Sequence, residues 1–503
     1  MQWFPKLKLR DYLILLGISI IYFVTRIYHL TSLPIFVDEA IYSRWAQIAL
    51  HDASWRFISL TDGKQPLFVW VAMPFLHFIQ DPLFATRSVS VLCGFLTILG
   101  LWYAGFLIKD KRTGYLAATL GLITPFLFFY DRFAVMESML TASGIWLFCL
   151  SIILAKTKRL DVALILGLAG GLAFLVKSPA QAFIMLIPVA YLFLVEDKTR
   201  FSKQNILKYL GLLIVVYVLA EVINNIQRLS PWMYMITRKN GDFVISPFAM
   251  LKDHPYRIWQ NFADSQRWLI SYLTLPLYLF TIFGAYKMSK VVDKFLLVSA
   301  WFWVPLFALI TTALLYRPRY LVFIVPYLLL YATFAFPAKT KHRLMMLTVL
   351  SIWPLRFIYQ SYFTPLTMPL IQADQDYVSG WAAGNGVKEI SDWLVKRAAV
   401  VGTDLDVYTE GTFGLLPHGI ELYTSERSKK LRLTGIYPVI DIPPLAVKQK
   451  SEENKETYFI LNNTQLTSLP PNSEEILSYK KADDSYIRLY RIFPRKNYCC
   501  LSP

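Results

Sequence analysis

Cysteine is scarce. The 503 residues hold four, Cys93, Cys149, Cys499 and Cys500, which make neither a disulfide framework nor a zinc-ligand spacing. Charge is scarce as well: 17% of residues are charged, against about 25% in a soluble globular protein. No internal repeat and no low-complexity segment is visible. His29, His51, His77 and His254 show no ligand spacing with a carboxylate, so no metal site is expected. These shortages, with 55% hydrophobic residues and a mean hydropathy of +0.43, exclude a disordered chain and argue against a soluble enzyme. They describe a polytopic membrane protein.

Acidic residues are short only in one part. Residues 1–362 carry 35 Lys and Arg against 17 Asp and Glu, a balance of +18, and residues 363–503 carry 16 against 17, a balance of −1. The excess lies between apolar runs rather than on a solvated face, which argues against a nucleic-acid partner and for membrane orientation. Apolar runs occur at about 11–29, 83–108, 114–130, 138–155, 160–176, 178–195, 206–223, 269–286, 295–315, 320–337 and 344–362. Most approach the ~20 residues needed to cross a bilayer, so eleven spans are expected. Lys6, Lys8 and Arg10 precede the first, and no small-residue cleavage site follows, so it reads as a retained span.

Short basic loops orient the spans. The N-terminus, Lys109–Arg112, Lys156–Arg159, Lys198–Lys203, Lys287–Lys294 and Lys339–Arg343 all fall inside if the 14-residue run 66–79 does not cross. That run is short and holds Pro74, which suits an interfacial or re-entrant helix. Loops 30–82 and 224–268 and the tail from 363 then lie outside. The expected protein is a multi-pass cell-membrane (inner or plasma membrane) protein with a cytoplasmic N-terminus. Its two domains are 1–362, transmembrane, and 363–503, a small extracytoplasmic α/β domain. In the tail, residues 387–397 read as an amphipathic helix, and 398–404, 420–425, 457–463 and 486–493 as strands.

The unusual polar residues collect on the outer face. Asp38 and Glu39 open the first outer loop, and Lys64 follows in it. Asp131, Arg132 and Glu137 lie at the outer ends of two spans. Lys177, Arg317 and Arg319 lie in tight outer turns. Charges at that depth are costly unless they pair or face a wet cavity. Acidic groups beside several cations suit an anion with a general base. Each residue also has a plainer reading: an outer carboxylate is usually just solvated, Lys177 and Arg319 can snorkel, and Arg26 and Arg87 near span ends read as snorkelling or structural. Tyr316, Tyr320, Tyr327 and Tyr331 read as belt or packing residues.

Taken in order, these elements resemble the integral-membrane glycosyltransferases of the GT-C class. The likeness is to the branch holding protein O-mannosyltransferases and the lipid A aminoarabinose transferase. VDEAIYSRWAQ (37–47) is similar to the acidic outer-loop motif and DGKQPLFVWV (62–71) to a Lys-Pro-Pro-Leu motif. Arg87-Ser88 opens the second span. YDRFAVMESML (130–140) resembles the second acidic motif, GLAFLVKSPA (171–180) a Gly-Leu-Ala…Lys-Gly-Pro element, and PRYLVFIVP (318–326) a late Arg-Tyr…Pro element. Gln65 stands where the family has Pro, Ser178 where it has Gly, and Gly63 where some relatives carry an acidic residue implicated in metal contact.

The resemblance implies a GT-C fold with juxtamembrane helices in the first outer loop. It implies a polyprenyl-phosphate sugar as donor, and inverting transfer of a hexose or pentose to an acceptor hydroxyl outside the membrane. Asp38 is then the general base, with Asp131 or Glu137 as alternatives. Lys64 and Arg319, backed by Lys177 and Arg317, stabilise the leaving phosphate. Glu39 hydrogen-bonds the acceptor in the substrate-binding set or is structural. Asp131, Arg132 and Glu137 order the loop or orient the acceptor, and Tyr320 joins the substrate-binding set. A monophosphate needs no divalent ion, so no cofactor is expected. The partners implied are the lipid-linked donor, membrane lipid, and an acceptor protein, glycolipid or wall polymer. Two other classes fit the composition. One is a transporter or flippase of lipid-linked sugars, which more often shows related halves and charges on both sides. The other is a non-catalytic receptor or assembly protein.

Overall fold

The computed structural model describes residues 5–194, 201–402, 404–439, 441, 443–453, 456–462 and 470–494. Cys499 and Cys500, Asn463 and residues 198–200 of one basic loop lie outside the described residues. The chain divides into two compact units. One gathers the described residues of Met1–Leu30, Asp52–Phe75 and Thr86–Gln360, the other those of Thr31–His51, Leu76–Ala85 and Ser361–Pro503.

The first unit is helical. Among the described residues, five helical stretches are long and apolar enough to cross a membrane: Pro82–Ile108, Glu137–Thr157, Lys203–Leu229, Val292–Thr312 and Pro318–Ala335. A sixth span results if Pro255–Leu273 and Leu275–Met288, bent by 110°, are taken together. The bend falls at Thr274, whose φ is +72°, two residues before Pro276, which lacks the N–H a continuous helix needs. The expected count of eleven spans is not reproduced. The run 114–130 breaks at Pro125 into Lys111–Ile123 and Pro125–Tyr130. The run 160–176 gives the 15-residue helix Leu160–Phe174, and 178–195 gives two short helices. Leu9–Ile27 and Thr340–Phe363 match two more runs; the first carries Arg10, Asp11 and Arg26, the second Pro354 and Arg356. Leu67–Phe78 is a 12-residue helix with Pro74 inside, by length short of a span.

Aromatic packing closes this unit. Trp301 is fully buried between Phe148 (ring centroids 5.3 Å) and Phe183 (5.9 Å). Gly284 lets Leu275–Met288 press against Val325–Ala335: a Cβ there would sit 1.9 Å from the Tyr331 carbonyl, the close approach that small residues allow between membrane helices.

The second unit carries an α/β layer. Its five strands are ordered β4-β3-β5-β7-β6: β3 Leu405–Glu410, β4 Leu431–Ile436, β5 Thr457–Leu461, β6 Ser473–Lys480 and β7 Tyr486–Ile492. β3 runs parallel to β4 and β5, and β7 antiparallel to β5 and β6. Tyr408, Val439, Val447, Phe459, Leu461, Tyr490 and Ile492 form a core on it. A two-stranded pair, β1 Ile35–Phe36 with β2 Ala383–Gly384, is antiparallel.

The helix expected at 387–397 runs over Val387–Val401, and strands form within 457–463 and 486–493. Two expected strands are helical instead. Residues 398–401 continue the buried stripe Val387, Ile390, Leu394, Ala398 until Gly402, at φ +75°, ends the helix. All of IELYTS but its last residue, Ser425, lies in the helix His418–Thr424. A short apolar run fits either period, and tertiary packing chose the helical one. β3, β4 and β6 were not expected as strands.

Candidate active site

In the second unit the acidic pair sits at a helix start. The helix Val37–His51 begins directly after β1, and the Val37 amide donates to the Ala382 carbonyl at 3.0 Å. Phe36 stacks on Tyr377 at 4.2 Å between ring centroids. Glu39 is fully buried, and its Oε2 accepts from the Phe36 amide at 3.0 Å. Phe36 is the N-cap position and Glu39 is N3, so this is the reciprocal half of a capping box. Glu39 is thus occupied by its own helix. Asp38, one residue earlier, is half-buried in the same first turn, where the helix dipole favours negative charge.

In the first unit two cations, Lys177 and Arg319, converge on Glu137. Its side chain is 4% exposed and heads the helix Glu137–Thr157. Lys177 Nζ lies 2.6 Å from Glu137 Oε1, and Arg319 Nε lies 3.8 Å from the same oxygen. Tyr320 forms a wall: Lys177 Nζ stands 4.8 Å and the Arg319 guanidinium 5.5 Å from its ring centre. Arg317 immediately precedes the 3-10 turn Pro318–Ile324 that carries Arg319 and Tyr320. Lys64 joins through its neighbours. Gln65 Nε2 donates to Ser178 Oγ at 2.7 Å, and the Leu67 amide donates to the Leu175 carbonyl at 2.9 Å. These bonds set the loop holding Lys64 against the loop holding Lys177. Lys64 Nζ stands 4.8 Å from the Phe243 ring centre, and no acidic partner meets it among the described residues. Four cations thus stand on three neighbouring loops with one buried carboxylate.

Asp131 and Arg132 lie elsewhere. Asp131, in the turn after Pro125–Tyr130, accepts from Tyr22 Oη at 3.1 Å and Ser138 Oγ at 2.9 Å, with Arg26 Nε at 3.8 Å. Burial pushes its carboxyl up to about 6, against the pull of Arg26, Ser138 and Tyr22. Arg132 is fully buried and donates to the carbonyls of Tyr28 (3.0 Å) and Thr25 (3.3 Å), and also of His29. It caps the end of the helix Leu9–Ile27. Arg26 and Arg87 are also fully buried, so both are structural rather than snorkelling; Arg87 donates to the Leu30 carbonyl at 2.8 Å. Arg356 stacks on Trp353 at 5.1 Å.

Sequence reasoning treated Gln65 and Ser178 as departures from a motif. They are bonded to each other, and the Asn240 side-chain amide donates to the same Ser178 hydroxyl at 3.2 Å. The paired departures were the available signal; nothing in the sequence marked Asn240 or Phe243. Among the described residues no three His, Cys, Asp or Glu side chains gather into a metal-ligand set.

The family model described as dolichyl-phosphate-mannose-protein mannosyltransferase matches residues 63–223, which hold Lys64, Glu137 and Lys177. No curated protein matches the chain. Among solved structures, ArnT from Cupriavidus metallidurans in the apo state is similar over 95% of this chain and 97% of its own, at 13% identity and a TM-score of 0.58. The same protein bound to undecaprenyl phosphate is similar over the same shares, at 12% identity and 0.60. The apo oligosaccharyltransferase of Archaeoglobus fulgidus is similar over 90% of this chain and 69% of its own, at 12% identity and 0.50. The fold is that of the GT-C integral-membrane glycosyltransferases, and the chain resembles their ArnT-like and protein O-mannosyltransferase-like members.

Proposed function

We propose that this protein is an inverting glycosyltransferase that moves a hexosyl or pentosyl group from a polyprenyl phosphate to an acceptor hydroxyl. The reaction takes place on the extracytoplasmic face of the cell membrane, with the N-terminus cytoplasmic and residues 363–503 outside. The observation that carries the reading is the cation cluster of Lys177 and Arg319 around Glu137, with Lys64 on the adjoining loop. It is set in a fold shared with ArnT from Cupriavidus metallidurans, one solved structure of which is bound to undecaprenyl phosphate.

The chemistry follows from what each group can do. The acceptor hydroxyl is a poor nucleophile at neutral pH, so a carboxylate must take its proton as the oxygen attacks the anomeric carbon. Asp38 has that role in this reading, because Glu39 is spent on the helix cap. The new C–O bond forms opposite the leaving group, which inverts the anomeric centre. The old C–O bond breaks and its electron pair goes to the phosphate oxygen. Lys64 and Arg319, backed by Lys177 and Arg317, stabilise that developing charge. A monophosphate gains at most one further negative charge in the step, and fixed cations suffice for it. The reading therefore takes no metal and no cofactor. Asp131 and Arg132 act here as scaffold, through the contacts that order the turn before Glu137.

The test is a transfer assay on the purified chain in nanodiscs, with a panel of polyprenyl-phosphate sugars and native membrane extract as acceptor. The expected result is release of polyprenyl phosphate with one sugar. Asp38→Asn lowers turnover at least ~10²-fold, and EDTA leaves it largely intact. Lys64→Ala and Arg319→Ala weaken donor use more than acceptor binding. Near-normal turnover of a folded Asp38→Asn sinks the base assignment. Lipid-linked sugar crossing liposomes with no transfer replaces the enzyme by a transporter.

A further inference from the structure

The segment joining Lys203–Asn224 to Leu275–Met288 has two unlike sides. It holds the helices Tyr234–Phe243, Pro247–Asp253 and the start of Pro255–Leu273. One side is fastened to the cation loops. Lys239 Nζ lies 3.4 Å from Asp62, Asn240 donates to Ser178, and Phe243 lies beneath Lys64. The Ile245 amide donates to the Thr312 carbonyl at 2.9 Å, and Met250 is fully buried. The other side is bare: Leu229, Tyr234, Phe248, Leu251, Tyr256 and Trp259 are exposed, Phe248 by 76% and Trp259 by 71%.

We propose that this bare side of residues 226–259 is a membrane-docking surface that lies in an anionic bilayer interface and so holds the cover of the cation loops in place. Three observations select lipid as the occupant. The apolar helices that precede and follow it in the chain also expose large apolar side chains, Ile214, Val218 and Val222 before it and Leu279, Ile282 and Phe283 after it. Its large residues mix Trp and Tyr with aliphatics, the composition that settles at headgroup depth. Its charge is lopsided: Arg228, Arg238, Lys239, Lys252 and Arg257 against Asp242 and Asp253. Arg228, Arg238 and Lys252 are exposed and meet no acidic partner among the described residues. An amphipathic segment with an apolar face and a basic fringe binds anionic bilayers through both terms. The proposal rests on the membrane reading of the fold and not on the proposed chemistry.

The test reads depth, so it needs no substrate. In the full chain Cys93 and Cys149 are buried; Cys499 and Cys500 are replaced by Ser. Phe248→Cys and Trp259→Cys are labelled separately with NBD and placed in nanodiscs of phosphatidylcholine alone or with phosphatidylglycerol. Nitroxide-labelled lipid should quench both positions and aqueous iodide should quench neither strongly. Phosphatidylglycerol should strengthen lipid quenching, and Arg228→Gln/Arg238→Gln/Lys252→Gln should abolish that gain, each charge being worth about fivefold in the docked population. Quenching by iodide rather than lipid overturns the proposal by putting the segment in water. Quenching by neither overturns it by putting a second protein surface there. Lipid quenching that ignores phosphatidylglycerol overturns the anionic preference. The two labelled positions report independently if one substitution impairs folding.

Discussion

Replacing Glu137 by Gln keeps the shape of the side chain and removes its charge. In the wild type that charge holds Lys177 at 2.6 Å and Arg319 at 3.8 Å. Two unit charges ~4 Å apart attract by about 4 kcal/mol at an effective dielectric of about 20 and by about 1 kcal/mol in water. Lys177 and Arg319 are 25% and 19% exposed, so solvent screens them in part and the lower end applies. About 1–2 kcal/mol of cation field is thus withheld from an incoming phosphate. Glu137→Gln should bind polyprenyl phosphate about tenfold more tightly, the equivalent of ~1.4 kcal/mol. It should lower the donor KM and lower kcat as well, because the product carries the same phosphate and leaves more slowly. The cost to stability is smaller than the 3–5 kcal/mol typical of a fully buried broken pair, about 1–2 kcal/mol, because both cations reach water. Binding of polyprenyl phosphate to nanodisc-embedded wild type and variant, repeated at rising salt, measures the effect. A folded variant with unchanged or weaker affinity refutes the idea that Glu137 competes with the phosphate for Lys177 and Arg319.

Two further predictions concern other parts of the structure. The Gln65–Ser178 hydrogen bond should show coupling of about 0.5–1.5 kcal/mol in donor KM across a Gln65→Ala, Ser178→Ala double-mutant cycle; additive single effects refute a role for this bond in aligning Lys64 with Lys177. Burial lowers the proton affinity of the Lys481 ammonium to a pKa of about 8, although its Nζ donates to the Asn462 side chain and the Gly380 carbonyl. The folded chain then binds fewer protons than the unfolded chain between about pH 8 and 10.5. Stability therefore rises with pH in that window, and the penalty is full below it. Relative to Lys481→Met, wild type should gain up to about 3 kcal/mol across the window, and a flat difference in thermal or denaturant unfolding refutes a buried charged Lys481.

Much of this protein is written in local pattern. The apolar runs predict where helices form, because every backbone polar group must be satisfied inside a bilayer. Pro125 and Pro276 show why two runs break, since proline removes a helical N–H. The run IELYTS shows the limit: its few apolar residues satisfy a strand or a helix, and only packing against its neighbours settles it. The chemistry divides in the same way. Residue type and order place Asp38, Lys64, Lys177 and Arg319 as candidates. Sequence does not separate Asp131 and Arg132 from Glu137, six and five residues away. The turn between them sends Asp131 to Tyr22 and Arg26, Arg132 to the end of the first helix, and Glu137 to Lys177 and Arg319. Glu39 was expected to hydrogen-bond the acceptor or be structural; one of its carboxylate oxygens accepts from the Phe36 amide at the start of its own helix. The sequence by itself therefore determined the membrane class, the positions of most helices and the pool of ionisable residues, because these depend on spacing along one chain. Which of those residues meet was decided only by the tertiary structure, because loops about a hundred residues apart, such as those of Gln65 and Ser178, become neighbours only when the helices between them pack.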